Sequence, residues 1–132
     1  MKLFISIHPE YVEKIITGEK KYEFRKKIFK REVEEVIIYS TRPSKKIECS
    51  FEIEEIIQES PSFLWEHLHN DGGINEKDFF NYFGDAEIGY AIKIKNVKKF
   101  DEPIIIKNRE KIVIPQSFRY LTDEEFELIK NF

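Results

Sequence analysis

Gly18-Glu19-Lys20-Lys21-Tyr22-Glu23-Phe24-Arg25 carries more information than any other segment of the chain. Upstream, Tyr11, Val12, Ile15 and Ile16 share one helical face, and His8-Pro9 opens that helix with proline at its first position. Thr17-Gly18 closes it, with Gly18 suited to a left-handed cap. From Lys20 to Lys26 the pattern alternates: Tyr22 and Phe24 point one way, Lys21, Glu23 and Arg25 the other. Glu23 and Arg25 are two apart on a strand and share a face. A paired carboxylate and guanidinium hold each other in place, and the guanidinium fork can grip a phosphate or a base edge. Lys20, at the exit from the cap, can reach the same space. The alternative is an exposed strand with an ordinary surface salt bridge.

Charge supports a local site. Lys20 to Arg31 holds seven cations against the single acid Glu23, a net of +6, in a chain of net charge −3, so the other 120 residues carry −9. The molecule as a whole is no generic polyanion binder, but this polarisation suits a patch that meets phosphates. Tyr22, Phe24 and Phe29 interleave with the charges and could stack on bases, although Tyr22 and Phe24 read better as core.

The flanking pattern gives the architecture. Residues 2–7 alternate as a strand, residues 35–40 read as a strand buried on both faces, and Thr41-Arg42-Pro43-Ser44 is a turn. Residues 46–54 alternate cleanly, with Ile47, Cys49, Phe51 and Ile53 inward and Glu48, Ser50, Glu52 and Glu54 outward. Ile56-Ile57 breaks that phase, as a bulge or a strand end. Ser60-Pro61 starts a short helix, and Asn75 caps a second, with Ile74 and Phe79 placed as a staple. A strand is expected over 87–95 and short β-like runs over 104–106 and 112–114. Thr122 begins a last helix with a capping box to Glu125. No repeat, linker or composition break divides the 132 residues, so one domain over 1–132 is expected. About six strands and four short helices in this order predict an α+β fold, a small mixed barrel. No Gly-rich phosphate loop supports a doubly wound sheet.

Cys49 is the single cysteine, so an internal disulfide and a cysteine zinc cluster are excluded, and its apolar surroundings make it a buried small hydrophobe. His67 and His69, two apart on a helix, do not make a helical metal pair. No metal and no cofactor are expected. No apolar run approaches the roughly 20 residues of a membrane helix, and the N-terminus lacks a secretory pattern, so no membrane partner and a cytoplasmic location are expected.

With its flanks, the Gly18, Lys20, Glu23, Arg25 pattern resembles the start of an ASCH domain. Ser6-Ile7-His8-Pro9-Glu10-Tyr11, the strand end Ile38-Tyr39-Ser40-Thr41, Phe51-Glu52-Ile53 and Pro115-Gln116-Ser117-Phe118-Arg119-Tyr120-Leu121 are similar to the same family, so the resemblance covers nearly the whole chain. It implies a PUA-like β-barrel with helices packed outside and a cleft lined by Gly18, Lys20, Glu23 and Arg25. It implies binding of RNA, a nucleotide or a modified base, often in translation or transcript control. Some ASCH proteins are amidohydrolases that deacylate N4-acetylcytidine; they share the lysine, here Lys20, but place a threonine nucleophile where this chain has Glu23. Others are described as ribonucleases, for which Glu23 with Lys20 or a histidine would be the acid–base candidates. Ser40 and Thr41 end a strand near the expected cleft, as ligand contacts or as turn formers. Arg119 and Tyr120 are candidates for the ligand mouth; the alternative is a loop that ties down the last helix. A third function is protein docking through the Trp65 or Phe79-Phe80 helices. The sequence leaves the oligomeric state open.

Overall fold

The strand Lys2–Ile7 (β1) is buried on both faces because two different helices cover it. Its odd residues Leu3, Ile5 and Ile7 meet Val12 and Ile15 of helix α1 (Pro9–Thr17). Its even residue Phe4 joins a second core with Ile37, Tyr39, Leu121 and Ile129, the last from helix α4 (Asp123–Lys130). The strand period of two thus feeds two cores from one segment. A third core packs Phe24 and Ala91 against Leu64, Phe79 and Phe83 of helices α2 (Pro61–Leu68) and α3 (Glu76–Phe83). The computed structural model describes residues 1–106 and 111–130.

The remaining strands are β2 (Tyr22–Arg25), β3 (Glu35–Ser40), β4 (Lys46–Glu59), β5 (Gly89–Ile104) and β6 (Phe118–Leu121). They form one six-stranded sheet in the order β2-β5-β4-β3-β1-β6. β1 and β3 are parallel, joined through α1, β2 and the segment that follows it; every other pair is antiparallel. The sheet curls into a half-barrel in the α+β class. The curl brings edge strand β2 to the opposite edge, where Arg25 reaches across to the Ser6 carbonyl and the Ser117 hydroxyl.

Local signals act as expected at the helix ends. Gly18 caps α1 at φ 87°, Ser60 and Asn75 accept from Phe63 N and Asp78 N, and Thr122 with Glu125 forms the capping box of α4. Four expectations are corrected. The 46–54 and 87–95 strands run much further, as β4 and β5, because bulged pairing absorbs the phase break and extends the ladder. Ser50 is buried, 3.4 Å from the Glu35 carboxylate, rather than outward. Residues 105–106 and 112–114 form no strand; Ile106 and Ile112 instead anchor the second core. The closing segment, for which no strand was expected, forms β6, because the edge of β1 needs a partner for its backbone groups.

Candidate nucleic-acid interface

Where the curled sheet leaves β2 facing the end of β1, a cleft of about 910 Å³ opens. Ser6, Ile7 and His8 form its floor at the β1–α1 junction, and Gln116, Ser117 and Phe118 one rim. Ile74, Asp78, Phe79, Asn81 and Tyr82 bring the α2–α3 insertion in as a wall. Lys20, Glu23, Phe24, Arg25, Lys26 and Lys27 come from β2 and its flanks, and Tyr11 and Thr41 complete the lining.

At its centre lies a buried ion triad. Glu23 is 6% exposed and Lys20 3%. The Arg25 guanidinium donates to Glu23 Oε2 from Nε at 3.0 Å and from Nη2 at 2.7 Å. Lys20 Nζ lies 3.6 Å from Glu23 Oε1 on the other side. Both carboxylate oxygens are therefore held by cations, the condition under which a buried charge is tolerated. Lys20 Nζ also donates to the Gly72 carbonyl at 2.7 Å and lies over the rings of Phe24 and Tyr11. Burial pushes the Lys20 ammonium below its ordinary value of 10.5; Glu23 opposes that shift, and Arg25 and Lys14 add to it.

The insertion is locked to this triad. Lys14 Nζ donates to the Gly73 carbonyl and Lys21 N to the Asp71 carbonyl. Gly73, at φ +64°, lies so close to Lys20 that an added Cβ would stand 2.6 Å from the Lys20 Cβ. Across the cleft, the Tyr82 hydroxyl accepts from Lys26 N, and burial raises its pKa, as it does for Tyr11. His8 Nδ1 and Thr41 Oγ1 lie 3.4 Å apart at the mouth.

Of the residues expected from sequence, Lys20, Glu23, Arg25 and Thr41 are brought together here. Gly18 serves as the α1 cap and is not part of the lining. Ser40 is fully buried at the end of β3, its Oγ without a hydrogen-bond partner among the described residues. Arg119 holds the Glu125 carboxylate and the Val113 carbonyl, tying α4 to β6, and lowers the Glu125 pKa through those hydrogen bonds. The Tyr120 hydroxyl accepts from Lys30 N and Arg31 N. Tyr11, Asp78, Asn81, Tyr82, Gln116 and Ser117 line the cleft without having been singled out as site residues by the motif. Of the α2 and α3 aromatics, Phe79 is buried and Trp65 and Phe80 are half-buried in the third core, whereas Phe63 and Tyr82 are exposed. Cys49 is fully buried, and its surroundings push the thiol up to about 12. Among the described residues, no cluster of three or more His, Cys, Asp or Glu is arranged to hold a metal ion, and no helix is long and apolar enough to cross a membrane.

A curled α+β half-barrel with a cleft at one side, built on a Gly18, Lys20, Glu23, Arg25 turn-and-strand, defines a PUA-like class of domain. Within it the chain belongs to the ASCH domain family, whose model matches residues 5–104. It is 28% identical to an ASCH domain-containing ribonuclease of Zymomonas mobilis over 125 residues, 92% of this chain and 84% of that protein. The crystal structure of ASCH from Zymomonas mobilis superposes with a TM-score of 0.89 at 26% identity, covering 99% of this chain and 94% of that one. The N-terminal domain of Staphylothermus marinus McrB shares the fold, with a TM-score of 0.60 at 10% identity, covering 98% of this chain and 93% of that one.

Proposed function

We propose that the chain binds single-stranded RNA, seating one nucleotide in the cleft between β2 and α3. The observation that carries this reading is the composition of the cleft. A buried triad of net charge +1 lies at its centre, Lys26 and Lys27 stand at its edge, and Tyr11, Tyr82 and Phe118 supply ring surface beside them. Cations beside aromatic faces are what a sequence-tolerant single-strand site needs. The Zymomonas relative described as a ribonuclease points the same way. Such binding suits a role in translation or transcript regulation in the cytoplasm.

The test is a titration with fluorescent single-stranded RNA at two salt concentrations, using wild type and a Lys26→Ala/Lys27→Ala variant. Both lysines are exposed, so the variant is expected to fold. The wild type should bind more weakly at high salt, and the variant should bind less tightly with a salt slope shallower by about 1.4, two phosphates at roughly 0.7 each. Absence of wild-type binding refutes the proposal.

A second reading, RNA cleavage, is favoured by Lys20. An ammonium whose pKa is lowered by burial gives up its proton more readily and can serve as a general acid at the cleft. Under this reading labelled RNA is cut by the wild type, and Lys20→Arg, which keeps the charge but not the readily lost proton, binds RNA and cuts it far more slowly. An Arg variant that cuts as fast as the wild type excludes Lys20 as the acid.

A further inference from the structure

Between β2 and β3 the chain runs from Lys26 to Glu34 without regular structure, yet it is firmly held. Lys26 N donates to the Tyr82 hydroxyl at 3.1 Å. Lys30 N and Arg31 N both donate to the Tyr120 hydroxyl, at 2.8 and 2.9 Å. Phe29 packs edge-on against Phe118, and Ile28, Phe29 and Val33 lie against the first core. All of these anchors are backbone or apolar groups. They turn four cations outward: Lys26, Lys27, Lys30 and Arg31 are exposed, with no acid between them.

Their electrostatic state differs from that of the cations just upstream. Lys20, Lys21 and Arg25 each pair with a carboxylate. Among the described residues, none of the four outward cations forms an ion pair. Lys26 instead lies over the Tyr82 ring at 5.1 Å, and Arg31 over the Tyr120 ring at 5.4 Å. The row starts at the cleft, which Lys26 and Lys27 line, and continues past Phe29, packed on Phe118, to Arg31 over Tyr120, both rings belonging to the terminal strand β6. Unpaired like charges repel one another, and among the described residues no carboxylate neutralises these four, so their charge is available to a polyanion.

We infer that this row continues the site: it carries the phosphates of the RNA chain next to the nucleotide in the cleft, and the ligand is a polymer rather than a free nucleoside. The inference rests on the cleft being a nucleotide site. A backbone pinned at Tyr82 and Tyr120 presents the four cations without first having to be ordered, which favours a strand laid along it. Tyr82 and Tyr120 also stand at the two ends of the row, each beneath one of its cations, within reach of the bases on either side.

The experiment uses labelled oligouridylates of one, two, four and eight nucleotides, with wild type and Lys30→Ala/Arg31→Ala. The substitutions leave the backbone bonds to Tyr120 in place, and circular dichroism checks the fold. The wild type should tighten from one to four nucleotides. The variant should bind the mononucleotide as the wild type does, lose most of the gain with length, and show a salt slope for the octamer shallower by about 1.4. A wild type that binds the mononucleotide as tightly as the tetramer, or a variant with undiminished length dependence, overturns the row while leaving the cleft reading intact. Failure of every oligomer and of the mononucleotide to bind overturns both.

Discussion

Replacing Glu23 with Gln removes the charge that holds Lys20 and Arg25 in the fold while preserving the size of the side chain. Lys20 Nζ lies 3.6 Å from one oxygen, and Arg25 donates twice to the other. At an effective dielectric near 20, each contact is worth roughly 4–6 kcal/mol of direct attraction. Releasing the carboxylate from its own desolvation returns several kcal/mol, and the Gln carbonyl can still accept from Arg25. The Gln amide group, however, turns a donor toward an ammonium that is 3% exposed. The net expectation is the loss found when one member of a buried pair is removed, about 3–5 kcal/mol. Urea denaturation followed by circular dichroism reads it as a fall in midpoint at constant slope. Adding Lys20→Met removes the stranded cation, so the double variant should lose less than the sum of the singles, by at least about 1 kcal/mol. A Glu23→Gln loss below about 1 kcal/mol, or simple additivity in the cycle, would refute the account of the triad as buried and mutually dependent.

Other expectations follow from neighbouring contacts. Lys20 has a lowered pKa in the folded state, so below its ordinary 10.5 the unfolded chain holds more protons on this group. Its contribution to stability therefore rises with pH from the lowered folded value up to 10.5, and the slope should vanish in Lys20→Met; the readout is the difference between wild-type and variant urea midpoints over that range. Gly73→Ala meets both a left-handed φ and the Lys20 Cβ, so it should cost more than the roughly 1–2 kcal/mol of the backbone conformation alone and weaken RNA binding with it. Tyr120→Phe removes the acceptor of two exposed N–H groups of the 26–34 segment, for about 0.5–1.5 kcal/mol per bond and faster hydrogen exchange at Lys30 and Arg31. Cys49, with its thiol raised to about 12, should react with a thiol reagent only as fast as the protein opens.

Local pattern carried most of the fold. The helix caps at Gly18, Ser60, Asn75 and Thr122 are chemical decisions taken within three or four residues, and each was readable from those residues alone. The length of β4 and β5 was not, because a bulge trades one broken alternation for a longer ladder with the partner strand. β6 was hidden for a similar reason: its pairing with β1 satisfies a backbone edge over a hundred residues away in sequence, and Arg119-Tyr120 gives no apolar alternation to reveal it. At the site, the motif identified Lys20, Glu23 and Arg25 because all three come from one turn and strand. Tyr82 and Ser117 arrive through contacts that span 56 and 92 residues, to Lys26 and Arg25, which no local pattern records.

The glutamate at position 23 also bears on chemistry. The resemblance drawn from the sequence implies that the family's amidohydrolases place a hydroxyl nucleophile at this position. Here the side chain is a carboxylate whose two oxygens are directed at Lys20 and Arg25, so its lone pairs are spent on the fold rather than offered to the cleft. Arg25 in turn uses its remaining reach on the Ser6 carbonyl and the Ser117 hydroxyl, which joins the two edges of the curled sheet. Because Ser117 accepts from Arg25, its own proton is free to be donated into the cleft that it lines. Under the proposed function, the carboxylate therefore serves to hold two cations in place for an anion rather than to attack a substrate. A net +1 is fixed in the cleft, a hydroxyl donor stands beside it, and Lys26 and Lys27 line the same space. Under the proposed function, such a site would recognise its ligand by charge and stacking.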